Sequence, residues 1–256
     1  MARPIDHGRR DSIVQLARET GFVRSSELSS RFGVSTVTIR QDIDALSARG
    51  LVQRTYGGAV FNAEGLQDSP FAARSSEHAQ AKRRIGGAAA RSVTAGQTII
   101  LDSGSTTIEI ARQLPEDHDI TVVTCAINVA LEAAARRGVS VIVCGGRLNA
   151  RTLSTAGRQT ERQFAGIFAD RLFLATYGVD FERGLAERSF EIAETKRALI
   201  AASREITLVC DSSKFRSAGP VLISPLNVVR RIVTDDGVTP AQLERLRAHD
   251  IEVEVV

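Results

Sequence analysis

The chain has 256 residues, 43% of them hydrophobic and 25% charged, with a net charge of +3. That balance excludes a disordered or fibrous protein and leaves room for one sizeable core plus a small module, since domains commonly run to ~100–200 residues. No apolar run approaches the ~18 residues of a membrane span, and the polar opening MARPIDHGRRD is no signal peptide, so no membrane partner and a cytoplasmic location are expected.

The first element is a helix from Arg9 to Thr20, with Ile13, Val14, Leu16 and Ala17 on one stripe and Gly21 at its end. Next comes SSELSSRFGVSTVTIRQDIDALSARG, Ser25 to Gly50. Ser25 or Ser26 can cap a short helix carrying Leu28 and Phe32, Gly33 permits a tight turn, and Ser35 or Thr36 can cap a second helix in which Ile39, Ile43 and Leu46 recur at helical spacing. This is the pattern of a helix-turn-helix. Leu51 to Phe61 then reads as two short strands around a turn, a β-wing.

With the apolar positions turned inward, Ser35, Thr36, Thr38, Arg40 and Gln41 stand at the outward N-terminal end of the second helix, and Arg54, Tyr56, Gly57 and Gly58 on the wing. Short polar and guanidinium side chains are what base edges and phosphates require. Two amphipathic helices alone would equally suit an ordinary hairpin with a solvated face; the wing tips the reading to DNA. Charge agrees: residues 1–61 hold 9 basic and 6 acidic groups, whereas residues 62–256 hold 24 of each. The expected organisation is a winged helix-turn-helix at 1–61, a linker at 62–73 and an α/β domain at 74–256.

The second domain alternates. Helices are expected at 78–93, 106–114, 127–137, 158–168, 187–203 and 240–249, and strands at 98–101, 120–124, 139–144, 171–176, 206–210, 231–234 and 251–256. That rhythm argues for a mostly parallel sheet covered by helices, whose ligands bind beyond the carboxyl ends of the strands. At the first such end, Asp102, Ser103, Gly104, Ser105, Thr106 and Thr107 offer more hydroxyls than a helix cap needs, and so suggest a phosphate cradle. Other ends carry Thr124, Gly145 with Gly146, and Asp211 with Lys214, one of only three lysines beside Lys82 and Lys196. The absence of GxxxxGK[ST] and GxGxxG argues against nucleotides and for a sugar phosphate. Cys125, Cys144 and Cys210 form no CxxC pair and the four histidines are scattered, so no metal site is expected and the cysteines read as small buried residues.

The phrases ELSSRFGVSTVTIRQDIDAL and GLVQRTYGGAV resemble the winged helix-turn-helix of the DeoR family of bacterial transcriptional repressors. LDSGSTTIEIARQL, TVVTCAINVA, VIVCGGRLN, ETKRALIAAS and LVCDSSKF resemble that family's C-terminal sensor domain, itself similar to the ribose-5-phosphate isomerase fold. The resemblance implies a sequence-specific repressor of a sugar or carbohydrate catabolic operon, working as a homodimer or homotetramer without a cofactor. Its partners would be a double-stranded DNA operator and a phosphorylated sugar or related metabolite. Carried across by motif, effector contacts fall on Asp102, Ser103, Gly104, Ser105, Thr106, Thr107, Thr124, Gly145, Gly146, Lys196, Asp211 and Lys214. Gln41 and Cys125 depart from the family's usual arginine and asparagine. The alternative is an isomerase-like enzyme using Asp180 or Asp211 as its acid-base pair; because Gly178-Val179-Asp180 supplies a single acid, no catalysis is expected. A third reading makes the first domain a protein-interaction module.

Overall fold

The apolar stripe near the start of the chain forms α1 (His7–Thr20), followed by β1 (Phe22–Arg24), α2 (Ser25–Phe32), α3 (Thr36–Ala48), β2 (Val52–Thr55) and β3 (Gly58–Phe61). A computed structural model describes residues 7–48, 51–61, 71–216 and 219–256. It divides into two compact units, one up to Asp68 and one from Ser69.

In the first unit Ile13, Ala17, Leu28, Ile39, Ile43, Leu46, Leu51 and Ala59 share one core. Gly33, at φ +63, ends α2 and returns its N–H to the Ser29 carbonyl, the left-handed cap that glycine adopts without strain. Ser35 rather than Thr36 caps α3, its hydroxyl accepting from the Thr38 N–H at 3.1 Å.

The serine cap expected for α2 is absent. Arg24 holds the N-cap position in extended conformation, and Ser25 lies inside the helix with its N–H on the Gly57 carbonyl at 2.8 Å. The reason is β1, a three-residue strand too short to show a two-residue period. It pairs with β3, and a Cβ on Gly58 would lie 2.0 Å from the Val23 carbonyl oxygen, so only glycine fits. A buried carboxylate fastens α1 to α3: Arg9 and Arg10 each donate to Asp42 at 2.7 Å.

In the second unit α4 (Phe71–Ser76) occupies the end of the expected linker, whose residues 62–70 lie outside the described residues. The chain continues through α5 (Ala79–Arg91), β4 (Thr98–Leu101), α6 (Thr107–Gln113), β5 (Ile120–Thr124), α7 (Ile127–Ala134) and β6 (Val139–Val143). A hairpin, β7 (Arg147–Asn149) with β8 (Ser154–Ala156), precedes α8 (Arg158–Phe164) and β9 (Ala169–Leu174). A second hairpin, β10 (Gly178–Asp180) with β11 (Gly184–Glu187), leads to α9 (Phe190–Ala201) and β12 (Ser203–Val209). Last come β13 (Val221–Ser224), β14 (Arg231–Thr234), α10 (Pro240–Arg247) and β15 (Glu252–Val255).

Seven strands form a parallel sheet in the order β15-β14-β12-β9-β4-β5-β6. Both faces are buried, so neighbours along a strand enter opposite cores. Ile99, Leu101 and Phe173 pack with Ile85, Ile108 and Val129 of α5, α6 and α7, while Ile100, Leu172 and Leu174 pack with Phe164, Leu199 and Leu246 of α8, α9 and α10. The strands β10, β11 and β13 make a small antiparallel sheet. It takes the beginning of the helix expected at 187–203, which starts at Phe190 instead. The three cysteines are free and buried, and burial pushes the Cys144 thiol up to about 11 and those of Cys125 and Cys210 higher still. No helix among the described residues is long and apolar enough to cross a membrane.

Candidate functional site

Two surfaces carry the chemistry, one in each unit. On α3, Ile39, Asp42, Ile43 and Leu46 face inward, which leaves Thr36, Val37, Arg40 and Gln41 exposed. Arg40 has no hydrogen-bond or ion-pair partner among the described residues, so its guanidinium is available to a ligand. Thr38 is less available, because its hydroxyl and that of Ser35 share a hydrogen bond of 2.9 Å at the cap. On the wing Tyr56 is fully exposed beside Gly57, which turns the chain at φ +84. Arg54 donates to Asp44 at 2.6 Å and so ties the wing to α3 and masks a carboxylate that would repel phosphate. Gly58 is buried where β1 meets β3.

In the second unit the sheet order reverses between β4 and β9: from β4 the chain builds outward through β5 and β6, and from β9 through β12, β14 and β15. Ligands of such sheets bind in the crevice at that reversal. Asp102 sits there, one Oδ accepting from the Ser103 N–H at 2.7 Å and the other from the Ala175 N–H at 3.0 Å. The Lys196 ammonium meets Asp102 at 3.0 Å, Glu187 at 2.7 Å and the Ala175 carbonyl at 2.7 Å.

All three charged side chains are buried. Burial pushes the Lys196 ammonium down, but its two carboxylates outweigh burial and hold it above its ordinary value. Burial pushes the Asp102 carboxyl up despite Lys196. Thr107 adds a hydroxyl donated to the Asp102 carbonyl at 2.7 Å. Asp102, Thr107 and Lys196 therefore brace the loop from within.

What the brace presents is the remainder of the loop. Ser103 and Ser105 are partly exposed, and their hydroxyls have no partner among the described residues. Gly104 lies so close to Ala175 that a Cβ would stand 3.0 Å from the alanine methyl, and Thr106 is buried beside it. At the end of β12, on the next strand, Asp211 is buried. One oxygen takes the Ser213 hydroxyl and N–H, and the other has no hydrogen bond among the described residues. Asp235 holds this loop by accepting from the Ser212 N–H at 2.5 Å and hydroxyl at 3.0 Å, donors that outweigh burial and keep its carboxyl low. Lys214 is half-buried in the same turn.

The remaining expected contacts lie on the other side of β4. Thr124 is buried and accepts from the Ala126 N–H at 3.1 Å. Gly145 donates to Gln163 at 3.1 Å and lines an open cavity of ≈ 820 Å³ with Val143, Arg158, Gln159, Arg162 and Gln163. A Cβ on Gly146 would meet the Thr160 hydroxyl at 2.5 Å. Asp180, the acid considered for catalysis, spends one oxygen on the Glu182 and Arg183 N–H groups, closing the β10–β11 turn.

The sequence profile of the DeoR C terminal sensor domain matches residues 77–236, and that of the DeoR-like helix-turn-helix domain matches residues 9–64. The chain belongs to the DeoR family. It is 34% identical to a protein of Escherichia coli O157:H7 named as an aga operon transcriptional repressor, over 97% of this chain and 93% of the relative. It is 32% identical to the transcriptional repressor AccR of Agrobacterium fabrum, over 90% and 89%, and 29% identical to the glycerol-3-phosphate regulon repressor of Escherichia coli K12, over 96% and 98%. Like other DeoR proteins it is a DNA-binding regulator of transcription rather than an enzyme.

Sequence reasoning about this DeoR protein missed Glu187, the second anion on Lys196, which read as an ordinary acid at a helix start. It also missed Arg188, whose guanidinium stacks 4.3 Å from the Tyr177 ring centroid and donates to the tyrosine hydroxyl at 2.6 Å. Glu187 ends β11 and Arg188 follows it, a short strand that no period announced.

Proposed function

We propose that this DeoR protein represses a carbohydrate catabolic operon, and that a phosphorylated sugar or related metabolite bound at the strand ends alters its grip on DNA. The observation that carries the effector half is the loop at the sheet reversal. It is braced from beneath by buried Asp102, Thr107 and Lys196 and presents the unpartnered hydroxyls of Ser103 and Ser105, an arrangement suited to phosphate oxygens. Gly104 and Thr106 shape the loop, and Lys214 and the bare oxygen of Asp211 would meet the charged and hydroxyl ends of the ligand. Thr124, Gly145 and Gly146 would border it on the far side. The exposed face of α3, with Thr36, Arg40 and Gln41, and Tyr56 on the wing are suited to an operator, with Ser35, Thr38, Arg54, Gly57 and Gly58 holding the shape. The protein would act in the cytoplasm as a homodimer or homotetramer, its reader within 1–61, its linker at 62–73 and its sensor from 74 to 256.

Two substitutions separate the halves. Arg40→Ala should weaken binding to the protein's own upstream DNA by about 1–3 kcal/mol in gel-shift titrations at fixed salt. Its thermal stabilisation by sugar phosphates should not change. Lys214→Ala should leave operator affinity intact and abolish most of that stabilisation. An unchanged response of the Lys214 variant to every stabilising phosphate would remove this loop from the site, and no DNA binding by the parent at moderate salt would remove the reader.

A further inference from the structure

The two edges of the parallel sheet are built differently. At one edge β15 carries Glu252 and Glu254, which pair with Arg231 of β14, and charge on an edge strand discourages further pairing. At the other edge β6 reads Val139-Ser140-Val141-Ile142-Val143, with no charge, proline or glycine, and no strand among the described residues pairs with its outer side. Ile142 and Val143 are 48% and 42% exposed.

The helix α7, on the face that Val139 and Val141 enter and opposite to Ile142, adds a second apolar surface at this edge. Glu132 of α7 reaches Arg112 of α6 at 2.8 Å, which fixes the flank of α7 that faces its neighbour. Ile127 and Leu131, one turn apart, lie on the flank turned away from α6, toward the β6 edge, and Leu131 is 69% exposed. An unprotected strand and an unprotected helix flank thus stand side by side.

We propose that the outer edge of β6, with the adjoining flank of α7, is where two copies of this chain pair, strand against strand in antiparallel register about a two-fold axis. The charges at the two ends of the strand choose the occupant. At its N-terminal end lies an acidic turn, Glu116, Asp117 and Asp119, only partly answered by Arg136 and Arg137. At its C-terminal end Arg158 and Arg162 flank the open cavity beside Val143 and have no acidic partner among the described residues. Antiparallel pairing of identical strands sets each acidic turn against the other copy's arginines, a match that symmetry supplies twice. Such pairing satisfies the outward backbone groups of β6 and sets the second copy beside Ile142 on one face of the sheet and beside the α7 flank with Leu131 on the other.

The proposal shares with the functional reading only the expectation of an oligomer. Its test uses no DNA or effector, so either can fail without the other. The full-length protein should show a concentration-dependent mass by light scattering, and Ile142→Glu, a change at an already exposed position, should weaken self-association on the order of 100-fold or more, because the charge enters the interface twice. Far-ultraviolet circular dichroism should be unchanged. A parent that is monomeric throughout, or a folded Ile142→Glu protein of parental mass, would overturn the proposal. Hydrogen exchange on the unmodified chain covers the case of a misfolded variant. Protection of the β6 amides that rises with protein concentration supports the pairing; protection independent of concentration, or none, refutes it.

Discussion

Replacing Lys196 by methionine should lower the stability of the second unit by about 3–5 kcal/mol, because it strands two buried carboxylates without a counter-charge. Asp102 and Glu187 stand 3.0 and 2.7 Å from the ammonium, and all three groups are shielded from water. Methionine fills much of the volume, so the loss would be electrostatic rather than a cavity. The dependence on pH follows from the sign of the shift. Burial already pushes Asp102 up with Lys196 opposing, and removing the lysine removes the largest opposing influence, so the carboxyl rises further. A carboxyl raised in the folded state costs stability above its folded pKa and stops costing as it protonates. The deficit of the variant should therefore shrink on acidification, and adding Asp102→Asn should recover part of it at neutral pH. Thermal unfolding of the full chain, followed between mildly acidic and neutral pH, measures both. A Lys196→Met protein as stable as the parent would show that the cluster contributes nothing net.

The pattern of burial explains which parts of this molecule could be read in advance. Strands β4, β5 and β14 appear at the expected residues because each is a short, largely buried run with an apolar centre whose neighbours enter opposite cores, and the helices between them end within a few residues of expectation. The strands β1, β7, β8, β10 and β11 are invisible in the sequence, since three or four residues cannot display a two-residue period, and β1 and β11 depend besides on partners farther along the chain, β3 and β13. At the ligand loops, sequence located Asp102, Thr107 and Lys196 but not their work. The contacts that turn them inward come from Ala175, more than 70 positions from Asp102 along the chain, and from Glu187, at the end of a strand the sequence does not display. Hydroxyls left over after bracing, on Ser103 and Ser105, emerge only when the partners of the others are known.

The same logic, applied to the reader, gives the second large effect. Asp42→Asn should destabilise the first unit by about 3 kcal/mol, the lower end of the range for breaking a buried pair, because Arg9 and Arg10 keep some contact with water. A unit of this size has a total stability of roughly 3–8 kcal/mol, so the loss would leave much of it unfolded at moderate temperature. Burial pushes the Asp42 carboxyl up, but the two guanidiniums prevail and hold it below its ordinary value. A carboxyl lowered in the folded state contributes stability that is fully present above its unfolded pKa and is lost as pH falls through the folded one, so the reader should loosen in acid before the asparagine variant shows any further change. Asp42 touches no DNA-facing position. Its removal should nevertheless abolish operator binding, together with a loss of helical signal and rapid proteolysis within residues 7–48, while the melting of the second unit stays unchanged. Arg40→Ala, by contrast, should fold normally and weaken binding alone. If Asp42→Asn keeps both the fold and the affinity of the parent, the carboxylate between α1 and α3 is not what holds the recognition helix out to DNA.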